Sequence, residues 1–228
     1  GWEESKHDLE IHCWDALGNE IRDIETFFVD KTPPVIEKTY EGPYFSVEGV
    51  EWINSDTQIL MSAYDPEPHP SGLDSLEYRI TLVGDEACRN RELCQETQGI
   101  GDWTEYNDES NVNINEESCH LIEITATDNV EKTSTHKQCV FVDNQAPMPD
   151  KTVGEIKTTW DGKDSVFYPD ETQYCWSDDE NEIECWRVTL DTPITLDCVD
   201  PEPHPADHEK TCFMIGLDGD DATSQYCE

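Results

Sequence analysis

The sequence has 228 residues, of which 53 are Asp or Glu and only 14 Lys or Arg, for a formal net charge of −39. That balance excludes nucleic acid and anionic membrane surfaces as partners, because both are held through Lys and Arg. Only 35% of the chain is hydrophobic, yet seven Trp, eight Tyr and six Phe suffice to build cores, and the length predicts one or two domains.

Residues 1–30 read as two strands. Leu9, Ile11 and Cys13 alternate with polar residues, Asp15-Ala16-Leu17-Gly18-Asn19 forms a turn, and Phe27-Phe28-Val29 returns. Lys31-Thr32-Pro33-Pro34 is a stiff junction without backbone donors at its prolines. From 35 to 143 about seven short strands follow, split by Gly, Pro, Asn and Asp clusters. Ile59, Met61 and Ala63 alternate, as do Leu76, Tyr78 and Ile80, and Ile122, Ile124 and Ala126. Short alternating strands at this spacing predict an all-β chain of antiparallel β-sandwiches, and no stretch has helical periodicity. Asp143-Asn144-Gln145-Ala146-Pro147 is a second junction, after which a new domain begins.

Two internal repeats organise the chain. Asp65-Pro66-Glu67-Pro68-His69-Pro70 returns as Asp200-Pro201-Glu202-Pro203-His204-Pro205, an offset of 135 (65 to 200). Leu9-Glu10-Ile11 with Asp15 and Phe28-Val29-Asp30 returns as Ile122-Glu123-Ile124 with Asp128 and Phe141-Val142-Asp143, an offset of 113 (15 to 128). The organisation this implies is half a domain over 1–30, a complete domain over 31–145, and the first part of a further domain over 146–228. Residues 150–228 followed by 1–30 would make nearly one more sandwich.

Ten cysteines indicate an oxidising, extracellular compartment. Neither a signal peptide nor a membrane-spanning run is present, so the sequence is read as a mature fragment or a segment of a longer protein. Short spacings suggest local disulfides Cys88–Cys94 and Cys175–Cys185, and Cys119–Cys139 would staple the last hairpin of the complete domain. Cys13, Cys198, Cys212 and Cys227 remain. His69 and His204 each lack a second His or Cys partner and read as solvated loop residues rather than Zn²⁺ or Cu²⁺ ligands.

The endings Ile124-Thr125-Ala126-Thr127-Asp128-Asn129 with Val140-Phe141-Val142-Asp143, and Ala63-Tyr64-Asp65-Pro66-Glu67 followed by Gly72 and Leu76-Glu77-Tyr78, resemble cadherin loop and strand patterns. Trp14-Asp15-Ala16-Leu17-Gly18-Asn19 with Phe27-Phe28-Val29-Asp30 is similar to the ending common in prokaryotic Ig-like repeats. The chain thus resembles extracellular Ig-like, cadherin-like tandem repeats of bacterial and archaeal surface proteins. The resemblance implies Ca²⁺ at domain junctions: Asp30, Asp65, Glu67 and Asp128 at the first, and Asp143, Asn144, Asp200 and Glu202 at the next. Carboxylates converging at one end of a sandwich repel one another unless a cation or protons neutralise them. The competing reading is that these Asp and Asn cap turns through their own backbone. The resemblance also bears on Cys13 and Cys198, the counterparts of inward-facing Ala126 and Ala63, where Ig domains often carry an inter-sheet disulfide. Either these two join across successive copies or Cys198 pairs with Cys212, leaving Cys227 unassigned.

Sequence signatures of nucleotide binding, serine hydrolysis and zinc proteolysis are missing, so no enzymatic activity is expected. The expected function is structural: a secreted, disulfide-stapled, Ca²⁺-rigidified stalk or filament at a cell surface, with copies or adjacent repeats meeting head to tail and completing the split domains. The alternative is an adhesin recognising glycan or protein through the 84–118 and 161–186 insertions, with Trp103 and Tyr106 as contact residues.

Overall fold

The computed structural model describes residues 1–107, 109–152, 193–206 and 209–215 with their side chains, and the backbone pairing of strands between 153 and 185 and at 225–227. The fold is predominantly β and divides into two compact units, Gly1–Asn144 and Gln145–Glu228. Each unit is described by itself. Among the described residues no helix is long and apolar enough to cross a membrane.

In the first unit β1 (Ser5–Trp14) and β2 (Glu20–Val29) pair antiparallel as a sheet of their own. Next come β3 (Val35–Glu41), β4 (Tyr44–Val47), β5 (Val50–Ile53), β6 (Gln58–Tyr64) and β7 (Leu73–Leu82). Two short helices, α1 (Asp85–Arg89) and α2 (Arg91–Glu96), precede β8 (Thr104–Glu105), β9 (Cys119–Asp128) and β10 (Thr133–Val142). β3 pairs with β6, and the remaining strands form a six-stranded sheet in the order β4-β5-β10-β9-β7-β8. Alternation places Ile59 and Met61 of β6, Leu76 of β7, Ile122, Ile124 and Ala126 of β9, and Val140 and Val142 of β10 in one core. Ile36, Tyr40 and Ala63 pack against that core from the β3–β6 pair, so the two sheets enclose it together. Full burial of an Ile or Leu side chain contributes about 1.5–3 kcal/mol, which makes this core the main source of stability.

The helices correct the expectation of none. Each spans barely more than a turn, too short for a periodic signal, and tertiary contacts hold them. Asn90 caps α2 through its side-chain oxygen, which accepts from Glu92 N and Leu93 N. Both helices lie on the outer face of β9–β10. Disulfides join Cys88 of α1 to Cys119 (S–S 2.09 Å) and Cys94 of α2 to Cys139 (2.07 Å). The expected Cys88–Cys94 and Cys119–Cys139 bonds are therefore wrong, although all four residues are bonded. In the ladder Cys119 stands opposite Phe141, and Cys139 opposite Leu121. Cys119 and Cys139 are thus diagonal neighbours, ~7–8 Å apart by general sheet geometry and beyond the ~4 Å Cβ separation of a disulfide.

The second unit opens with β11 (Met148–Val153), β12 (Ile156–Trp160) and β13 (Lys163–Phe167). It continues with β14 (Gln173–Trp176), β15 (Glu182–Cys185), β16 (Ile194–Val199), β17 (Cys212–Met214) and β18 (Gln225–Cys227). Its strand pairs repeat those of the first unit in register. Val35 opposite Tyr64 becomes Met148 opposite Val199, and Ile36 opposite Ala63 becomes Pro149 opposite Cys198. Tyr44 opposite Ile53 becomes Lys157 opposite Val166, and β17, at the place of Glu77–Arg79 in β7, has an antiparallel partner in β18. The β14–β15 hairpin occupies the insertion that separates the two repeat offsets. Cys212 is disulfide-bonded and faces Cys227 in the ladder, whereas Cys13 and Cys198 are free thiols, which removes the Cys198–Cys212 alternative. The Cys175 and Cys185 side chains lie outside the described residues.

The counterpart of β9–β10 is the β1–β2 hairpin. Ala126 opposite Ser134 becomes Cys13 opposite Ile21, and Glu123 opposite Lys137 becomes Glu10 opposite Ile24. The turns match too. Asp15 Oδ1 accepts from Leu17 N and Asn19 N, both at 2.9 Å, and Asp128 Oδ1 accepts from Val130 N (2.9 Å) and Lys132 N (2.8 Å). Gly18 takes a φ of 85° and its counterpart Glu131 one of 65°.

Candidate metal centre

Three chain segments bring carboxylates to one end of the first unit. Asp30 follows β2, Asp65 follows β6, and Asp128 ends β9. One oxygen from each lies within 4.8 Å of the others. Asp128 is 1% exposed and Asp30 9%.

Backbone donors fix how the three groups point. Asp30 Oδ1 accepts from Thr32 N (3.1 Å), and its Oδ2 from Ser71 N (2.9 Å). Asp65 Oδ2 accepts from Gly72 N (2.7 Å) and the Ser71 hydroxyl (3.3 Å). Asp128 Oδ1 is engaged by its own turn, as above. Asp65 Oδ1 and Asp128 Oδ2 are left buried without a hydrogen-bond partner. No Lys or Arg among the described residues pairs with any of the three. Burial pushes the Asp30 carboxyl up, but hydrogen bonds from Ser71 and Thr32 outweigh it and hold the group below the usual carboxylate range.

Unpartnered buried carboxylate oxygens are costly, and like charges this close repel. A divalent cation bound by one oxygen from each Asp would relieve both penalties, and an all-oxygen donor set suits a hard cation. The cluster can therefore coordinate a divalent cation. Turn capping is compatible with a cation here, since in Asp65 and Asp128 one carboxylate oxygen serves the backbone and the other has no hydrogen-bond partner.

Of the residues expected at this junction, Glu67 does not join: it is exposed and outside the cluster. A contribution that went unread in the sequence is that of Ser71 and Gly72, whose N–H groups aim Asp30 and Asp65. The only signal available was their place directly after the repeated Pro-rich phrase. Asn144 is committed within the first unit, accepting from Ser55 N (2.7 Å) and donating to Asn115 O (3.3 Å), while Asp143 N donates to Ile53 O. In the second unit Asp200 Oδ2 accepts from Ala206 N (2.8 Å), much as Asp65 does from Gly72, and Glu202 is exposed.

His69 packs against Phe28, with ring centroids 5.8 Å apart. His204 is buried at 7% exposure, which corrects its reading as a solvated residue. Tyr106 meets Tyr78 edge-on and packs on the core, and the Arg79 guanidinium lies 4.5 Å over the Trp103 ring. Both aromatics already have internal partners. Comparison with known proteins finds no family model, no curated protein and no solved structure that matches this chain.

Proposed function

We propose that the chain is a structural extracellular repeat protein that forms a stalk or filament at a cell surface. Its units are Ig-like, cadherin-like β-sandwiches stapled by disulfides, rigidified by Ca²⁺ at Asp30, Asp65 and Asp128, and completed where incomplete by a neighbouring repeat or copy. The observation that carries this reading is the repeated register: the second unit reproduces β3–β6 and β4–β5, while the counterpart of β9–β10 stands at residues 5–29. The orphaned oxygens of Asp65 and Asp128 support the cation. Ca²⁺ at such a place ties the end of the β1–β2 hairpin to the loops that follow β6 and β9, and so stiffens the join between hairpin and sandwich.

The test is light scattering and thermal unfolding of the full chain in Ca²⁺ and in chelator. Polymers that form end to end are expected, together with a stabilisation of about 2.7 kcal/mol at a Ca²⁺ concentration a hundredfold above its Kd. Asp65→Asn and Asp128→Asn should each abolish the Ca²⁺ response. Monomers under both conditions, with glycan or protein binding that disappears in Trp103→Ala, would replace this reading with the adhesin.

A further inference from the structure

Two surfaces in this chain have the shape of halves of one core. The β1–β2 hairpin pairs only with itself, and one face carries Leu9, Ile11, Cys13 and Ile21. Ile122, Ile124 and Ala126, the counterparts of Leu9, Ile11 and Cys13, are fully buried, whereas Leu9 is 39% and Ile11 41% exposed. In the second unit Ile194 and Ile215 hold the places of Ile59 and Ile80, core positions of the first unit, yet they are 52% and 74% exposed. In the first unit β9 and β10 join β5 to β7 in one sheet, whereas among the described strands of the second unit β12–β13 and β17–β18 are separate two-stranded sheets that no strand joins.

The two free thiols lie one on each surface. Cys13 occupies the position of Ala126, and Cys198 that of Ala63. In the first unit both alanines belong to one core, contributed from its two sheets. Resting on the filament reading above, we infer that the β1–β2 hairpin of one copy docks on the second unit of another copy in the register of β9–β10, and that Cys13 and Cys198 then close an intermolecular disulfide. The occupant is a second copy because this one chain carries both halves of the repeat: β1–β2 has the register and turn of β9–β10, and β11–β16 has the register of β3–β6, the pair that packs with β9–β10 on the core of the first unit.

The covalent step needs an oxidant, supplied by a low-molecular-weight disulfide such as oxidised glutathione. The Cys13 thiolate attacks that disulfide and expels one thiolate, leaving a mixed disulfide. The Cys198 thiolate then attacks Cys13 Sγ and expels the second. Two protein thiols are oxidised to one cystine, the small disulfide is reduced to two thiols, and the two protons pass to them. The first exchange takes place on the exposed hairpin, and docking then brings the Cys198 thiolate onto the mixed disulfide.

The full chain is incubated with oxidised glutathione, separated without reductant and peptide-mapped. The expected product is a ladder of multimers containing a Cys13–Cys198 peptide, lost in both Cys13→Ser and Cys198→Ser. An equimolar mixture of those two variants should stop at the dimer, since each partner then offers one competent end. A Cys13–Cys198 bond inside a 26.1 kDa monomer would overturn the second copy as occupant. Polymers in light scattering whose map lacks this peptide would overturn the latch and leave the filament reading standing. Monomers throughout would overturn both.

Discussion

The β9–β10 and β1–β2 hairpins, 113 residues apart, share one register and one turn, yet they live in different environments. β9–β10 is covered on both faces: Ile122, Ile124 and Ala126 face the core, and the other face lies beneath α1 and α2, held by Cys88–Cys119 and Cys94–Cys139. At the positions of Cys119 and Cys139 the β1–β2 hairpin carries Lys6 and Thr26. At the position of Glu123 it carries Glu10, paired on an exposed surface with Arg22 at 2.6 Å. Glu123 itself is buried between Arg79 (2.5 Å) and Lys137 (3.0 Å). Gly99 passes so close above it that a Cβ there would collide with the Glu123 carboxylate and the Arg79 guanidinium. The same ladder is thus a finished core element in one place and an open one in the other. An isolated two-stranded hairpin is marginal in water, so the open copy has a thermodynamic reason to find a partner.

The comparison breaks most sharply at the staples. Replacing Cys94 and Cys139 together by Ser opens a crosslink spanning 45 residues, and should cost the first unit about 4 kcal/mol in denaturant unfolding. The β1–β2 hairpin has no equivalent bond to lose.

Next comes the buried carboxylate. Glu123→Gln leaves Arg79 and Lys137 without their anion and should cost about 3 kcal/mol, while Glu10→Gln, at the matching exposed position, should cost under ~1 kcal/mol. Burial pushes the Glu123 carboxyl up, but the hydrogen bonds and charges of Arg79 and Lys137 hold it below its ordinary 4.5. A carboxyl depressed in the folded state contributes stability that is complete above pH 4.5 and is lost as the pH falls through its folded value. Unfolding midpoints followed downward from pH 6 should therefore fall less steeply in Glu123→Gln than in the parent.

The turns sharpen the comparison by the smallest amount. Glu131 adopts a left-handed φ of 65° where β1–β2 has Gly18 at 85°. Glu131→Gly should stabilise the first unit by up to ~1 kcal/mol in thermal unfolding, and Gly18→Glu should weaken the exposed hairpin by a similar amount.

How much of this was legible follows the range of the interactions. Strand alternation in Leu9-Ile11-Cys13, Ile59-Met61-Ala63 and Ile122-Ile124-Ala126 is a pattern between near neighbours, and it appears in the chain as written. The β-class and the equivalence of β1–β2 with β9–β10 follow from it, because identical spacing under identical alternation imposes identical register. The convergence of Asp30, Asp65 and Asp128 was also open to reading, since each carboxylate ends a strand at one end of the same unit.

Other features exist only in three dimensions. Cys88 lies six residues from Cys94, yet bonds Cys119 at a separation of 31, because the two short helices fold flat over β9–β10 and set each sulfur above a different strand. The same packing buries Glu123 and leaves Glu10 in solvent, although both sit in an Ile/Leu-Glu-Ile triplet with the same flanking pattern. A residue's alternation tells which face it takes. What covers that face is supplied by segments distant in sequence, and only the folded chain brings them there.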